Sequence, residues 1–166
     1  MKTTDYWIEK LNLQKHPEGG WYKEVYRSEE IVPKQYLPVG FSGDRSFSTS
    51  IYYLLEGKDF SAFHRIKSDE IWHFYAGTSP LEIISVENGI LGKKVLGDRP
   101  EHEQFFQVVV PKNCWFAARL QNMSGFALVG CTVSPGFHFD DFEMAGEDLI
   151  VEYPELEKEI ANLIRL

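Results

Sequence analysis

From Trp21 to Val133 the chain is written mostly with a period of two, apolar and polar residues alternating in runs of six to nine broken by Gly, Pro, Asn and Asp, a pattern that predicts short strands. Trp21–Ser28, Phe47–Leu55, Leu81–Glu87, Ile90–Leu96, Phe105–Val110, Trp115–Leu120 and Phe126–Val133 are the clearest. Asn88-Gly89 sits between two of them and predicts a tight hairpin, because both residues tolerate the positive φ that such a turn needs. Two more strands meet at Lys67-Ser68-Asp69. At the ends the period changes. Trp7, Ile8 and Leu11 have helical spacing behind Thr4 or Asp5 as a cap, and the helix must stop before His16-Pro17. Pro154 opens a second helical stretch with Leu156, Ile160, Leu163 and Ile164 on one stripe. The Pro- and Gly-rich stretch from Pro33 to Asp44 reads as a loop able to cover one end of a cavity, and Glu18-Gly19-Gly20 as a turn. Many short strands between terminal helices, with no repeat or linker, predict one all-β domain, a jelly roll or another small barrel, over residues 1–166.

Alternation also places the chemistry. His64 and Ile66 share a strand face with Phe60 and Ala62, and after the turn Glu70, Trp72 and Phe74 share another. If the two strands pair, His64 and Glu70 look into the same apolar space, where an imidazole and a carboxyl suit acid–base work or ligand binding. The plainer alternatives are a histidine satisfied by backbone groups, and a glutamate paired with Arg65, Lys67 or Arg119. His73 falls on the opposite face. Tyr53, Trp72, Phe74 and Phe116 are expected to line the pocket, with Arg119 as a polar contact, although core packing would look the same in sequence.

This stretch resembles the first motif of the cupin superfamily, G-x5-H-x-H-x3,4-E-x6-G: His64 fills the first His position, Ile66 the second, Glu70 the Glu and Gly77 the closing Gly. The second motif, P-x-G-x2-H, is echoed from Pro111 to Phe116. Ile66 and Phe116 therefore stand where the superfamily carries metal-ligating histidines. The wording of His16–Tyr22, Phe63–Gly77 and Ser134–Phe137 resembles one cupin-like family, generally described as a domain of unknown function and related in fold to sugar-nucleotide epimerases of the dehydrorhamnose type. The resemblance selects a cupin jelly roll with short N- and C-terminal helices, and it implies a homodimer. Protection of sheet edges argues the same way.

A net charge of −8 argues against nucleic acid and anionic membranes as partners. No apolar run approaches the length of about 20 residues that spans a bilayer, and Met1–Asp5 lacks the apolar core of a signal peptide, so a cytoplasmic protein is expected. Cys114 and Cys131 lie in strand-like runs and are read as reduced core residues. His64 and Glu70 alone fall short of a zinc or iron site, so no tightly held metal is expected, and the cofactor stays unassigned. His16, His102 and His138 have no spacing that recruits them. Three functions fit: an isomerase or epimerase moving a proton on a small molecule such as a sugar derivative, a metal-dependent cupin, or a binding module without catalysis.

Overall fold

The computed structural model describes residues 2–165. A helix α1 (Thr4–Leu11) is followed by β1 (Gln14–Lys15), β2 (Trp21–Arg27), a ribbon of β3 (Ile31–Val32) and β4 (Arg45–Ser46), then β5 (Thr49–Glu56), β6 (Phe60–Arg65) and β7 (Asp69–Gly77). The chain continues through β8 (Leu81–Glu87), β9 (Ile90–Leu96), β10 (Gln104–Phe105), β11 (Gln107–Val110), β12 (Trp115–Leu120), β13 (Phe126–Ser134) and β14 (Glu143–Met144) to the short helices α2 (Glu147–Glu152) and α3 (Glu157–Ala161). Two six-stranded sheets face each other, ordered β1-β2-β5-β13-β7-β11 and β10-β9-β8-β12-β6-β14. The hydrogen-bonded ladders stay in two separate sheets, so the jelly roll is a sandwich rather than a closed barrel.

Three apolar clusters explain the near-continuous hydrophobic runs. Between the sheets lie Tyr53, Trp72, Leu81, Phe116 and Val129. The outer side of the second sheet, with Phe63, Ile84 and Trp115, is covered by Leu149, Ile160 and Leu163 of the C-terminal helices. Helix α1 and Leu13 lie on Leu54 and Leu128 of the first sheet. Strands such as β12 are thus buried on both faces and lose the alternation that a one-sided strand shows.

The expected hairpin is present, with Asn88 and Gly89 both at positive φ. Helix α1 starts one residue earlier than expected, its N-cap Thr3 accepting from the Tyr6 N–H, and it ends on Asn12 in the left-handed conformation. The C-terminal stripe is divided between α2, a 3₁₀ turn at Pro154–Leu156 and α3. Phe105–Val110 is broken at Phe106, because the chain passes there from the second sheet to the first. The largest correction concerns β6 and β7. They do not pair: β6 lies between β12 and β14, and β7 between β13 and β11. Lys67 and Ser68 carry the chain across the sandwich from one sheet to the other. Cys114 and Cys131 are buried and unbonded. Among the described residues no helix is long and apolar enough to cross a membrane.

Candidate functional site

One end of the sandwich holds a cavity of about 370 Å³. Thr49 and Ile51 of β5, His64 of β6, Ile66 beyond it, Glu70 of β7, and Cys131 and Val133 of β13 form its inner walls. His16, Glu18 and Tyr22 enter from the N-terminal segment, and Phe137, His138, Phe139 and Phe142 form the mouth. His64 and Glu70 therefore do share a cavity, from facing sheets rather than from paired strands. They are 3% and 7% exposed.

Glu18 is the residue that sequence reasoning missed. It belongs to a turn with no strand period to orient it, yet it is only 5% exposed and its Oε2 lies 3.2 Å from His64 Nε2. Its Oε1 lies 3.7 Å from His16 Nδ1. The turn is fixed through its backbone. Arg165 Nε and the Ala62 N–H both donate to the Glu18 carbonyl, the Tyr53 hydroxyl to that of Gly19, and the Gly20 N–H donates to Asp59, which also pairs with Arg165. Gly19 has φ +112°, and a Cβ there would run into the Phe60 carbonyl oxygen. The one sequence signal for this turn was the doubled glycine itself.

A bulge in β6 makes the link to His64. Against three residues of β12, from Phe116 to Ala118, β6 spans four, from His64 back to Ser61. The extra residue throws Phe60 onto the helix side, against the alternation, and leaves the Ala62 peptide unpaired in the ladder. Its N–H goes to the Glu18 carbonyl at 3.0 Å and its C=O accepts from His64 Nδ1 at 2.7 Å. A carbonyl can only accept, so Nδ1 carries a proton and Nε2 is the basic nitrogen turned towards Glu18. Two lone-pair atoms at 3.2 Å need a proton between them. Burial lowers the His64 pKa against the opposing pull of Glu70, and burial raises that of Glu18 against the pull of His16. Both shifts favour the uncharged forms of the two groups, and with Nδ1 committed to the Ala62 carbonyl the proton shared at Nε2 is drawn towards the carboxyl.

Across the cavity Glu70 has its pKa raised to about 7, chiefly by burial, with His64 pulling down and Glu18 pushing up. It makes no ion pair among the described residues: Arg65 binds Glu143, Lys67 faces Asp141, and Arg119 binds Glu82. His16, lowered by burial, accepts the Glu18 backbone N–H at Nδ1. His64 itself lies between the rings of Phe116 and Phe142, at 4.2 and 5.3 Å between centroids.

The other residues expected at the pocket lie elsewhere. Tyr53, Trp72 and Phe116 are fully buried behind the cavity, packed edge to face at 5.6 and 6.0 Å, because their positions face the middle of the sandwich rather than its open end. Phe74 lines a separate depression with Thr78 and Arg99, and Arg119 sits beside Lys58 and Asn162, away from the cavity. His73 is on the outer face, bonded to Thr132. The Pro33–Asp44 loop does not line the cavity. It braces the mouth, with Ser42 donating to Asp140 and Lys67 reaching the Gly40 carbonyl. His138 and Asp140 stand exposed at the rim, whereas Asp141 is buried in a bidentate pair with Arg45.

A second bulge shapes the mouth. Glu24 and Tyr26 of β2 face consecutive residues of β5, so Val25 is extra and Arg27 turns to the same side as Glu24. The guanidinium grips the Glu24 carboxylate through Nε and Nη2 at 2.9 and 2.8 Å and donates to the Phe137 carbonyl.

The two facing sheets, the cavity at their open end and the corner bearing His64 and Glu70 define a cupin. The chain belongs to the cupin superfamily family described as Cupin superfamily (DUF985), whose model matches residues 5–145. It is 30% identical over 168 residues to an uncharacterized protein of Saccharomyces cerevisiae, covering 94% of this chain and 83% of that one. In structure it is similar to a hypothetical protein from Leishmania major (TM-score 0.89, 31% identity, 99% and 100% of the two chains). It is also similar to a protein of Shewanella oneidensis (TM-score 0.87, 38% identity, 99% of each). A variant of oxalate decarboxylase from Bacillus subtilis shares the fold alone, at 15% identity and TM-score 0.54 over 90% of this chain and 36% of that one.

Cupins often hold a metal. Here Ile66 and Phe116 present hydrocarbon at the corresponding positions, His64 Nε2 is engaged by Glu18, and no group of three or more His, Cys, Asp or Glu at metal-binding spacing occurs among the described residues. The donor set does not fit a chelated metal.

Proposed function

We propose that the cavity binds a small oxygenated molecule and moves a proton on it, as an isomerase or epimerase does at a carbon next to a carbonyl. The observation that carries this reading is the meeting of three proton-bearing groups, the Glu18–His64 pair and Glu70, on facing walls of one apolar cavity. After its proton passes to solvent or ligand, the Glu18–His64 pair is a base able to take a proton from carbon. Glu70, balanced near neutrality, can give one to the carbonyl oxygen or to the opposite face of the carbon. A sugar derivative suits the aromatic mouth. The test is solvent exchange: neutral and amino-substituted carbonyl sugars are incubated with the protein in D₂O, and loss of the C–H signal beside the carbonyl is followed by NMR. Exchange that His64→Ala and Glu18→Gln abolish, with both variants folded, is the expected result. Exchange in none of these compounds, or exchange unchanged in both variants, contradicts the reading.

For pairing with a second copy, the support is the outer face of β7 and β11, where Tyr75 and Val109 are exposed beside Phe106. Sedimentation equilibrium at micromolar concentration should return twice the chain mass, and the chain mass alone would contradict it.

A further inference from the structure

The lining of the cavity has a charge imbalance that bears on what can enter it. Three carboxyl groups face it, Glu18, Glu24 and Glu70, and among the lining residues Arg27 is the sole lysine or arginine. Arg27 is already spent on Glu24 in a bidentate pair and on the Phe137 carbonyl. His16 and His64 are held toward their neutral forms by burial, so neither offers a fixed positive charge. Glu70 is more than nine-tenths buried and lines the cavity with no cation beside it among the described residues, although Arg65 and Lys67 lie close in sequence. Leaving a buried carboxyl without a counter-charge is costly unless something else supplies one. The mouth above it carries Tyr22, Phe137, Phe139 and Phe142, rings whose faces attract cations and cover flat ligands. The net charge of −8 raises the local concentration of cations and lowers that of anions.

We propose that the cavity selects a small ligand whose inner end is a protonated amine or amidine set against Glu70, its ring or chain lying between the mouth aromatics, and that it rejects phosphorylated and carboxylated ligands. The inference rests on the cavity of the proposed function but not on its proton transfer, and binding is read without turnover, so either can fail alone. The titratable groups facing Glu70 are His64 on β6, Glu18 on the N-terminal turn and Cys131 on β13. Burial holds the Cys131 thiol well above its usual range, so it stays neutral. A bound cation requires Glu70 ionised, which makes binding release a proton and weaken as the pH falls below about 7.

The experiment measures thermal shift and calorimetric binding of benzamidine, benzylamine, benzyl alcohol, benzoate and phenyl phosphate to the full chain. Benzamidine and benzylamine should bind at millimolar concentration, benzyl alcohol more weakly, and the two anions not at all. Amine affinity should fall by about tenfold per pH unit below 7. Glu70→Gln, which keeps the shape of the side chain, should lose the preference for amines. Failure of both amines to bind, binding of either anion as tightly as benzamidine, or wild-type amine affinity in Glu70→Gln each overturns the proposal. The pH dependence in the wild type decides the matter without any variant.

Discussion

Glu18 and Glu70 are the same side chain at the same depth on opposite walls of one cavity, and the chain treats them differently. Glu18 sits on a turn whose backbone is tied by Arg165, Ala62, Tyr53 and Asp59, and its carboxyl lies between two imidazoles. Glu70 takes its place from strand β7, with only the Cys131 thiol and the Trp72 indole beside its carboxyl, and has no ion-pair partner among the described residues. One carboxyl is wired into the protein and the other is left for whatever enters. The contrast suggests how the cavity divides its work: the fixed pair sets a proton's position, and the free acid answers to the ligand.

The strongest blow to the wired side is Gly19→Ala, since a side chain there meets the Phe60 carbonyl at a φ that L residues avoid. Urea denaturation should show a loss of about 4 kcal/mol. Next comes the free side. Folded Glu70 keeps its proton to about 7, whereas in the unfolded chain it releases it near 4.5, so the folded state binds more protons in between and stability falls as pH rises through that window. Glu70→Gln should remove up to about 3 kcal/mol of that decline, read as the difference between wild-type and variant stability profiles. His16 and His64, lowered by burial, act with the opposite sign; the difference between profiles cancels His16, while His64, which Glu70 pulls upward, is lowered further in the variant. Arg165→Ala loosens the Glu18 turn from outside. Because the guanidinium is partly exposed, the cost in stability is about 1 kcal/mol, but the His64 imidazole signals should move, and Arg165→Lys should restore them partly. Smallest is Arg119→Ala, which breaks a pair with Glu82 far from the cavity. It should cost under about 1 kcal/mol and leave ligand binding unchanged; an altered affinity would return Arg119 to the site.

The comparison also accounts for what the sequence made readable. Glu70 was legible because strand alternation puts it beside Trp72 on an inward face, and a lone carboxyl among apolar residues stands out. His64 was legible for the same reason, though the argument assumed a pairing of β6 and β7 that the sheets do not make; the inward faces of two facing sheets serve equally well. Glu18 was not legible, because a turn has no period and its orientation comes from Arg165, some 147 positions away. The bulges at Ala62 and Val25 were hidden too. Each inserts one residue into a strand whose composition is unremarkable: the first turns Phe60 outward and frees the Ala62 peptide to hold His64 and Glu18, and the second re-aims Arg27. Tyr53, Trp72 and Phe116 were misplaced because aromatic residues on an inward face mark the interior without saying which level of it is hollow.

The central claim is a shared proton between Glu18 and His64, and ¹⁵N NMR of the His64 ring tests it most directly. The account predicts a neutral imidazole at pH 7 with the proton on Nδ1, a hydrogen-bonded Nε2, and a midpoint below the ordinary histidine value of 6.5. A ring protonated on Nε2, or one that titrates at the ordinary value and is indifferent to Glu18→Gln, would contradict it.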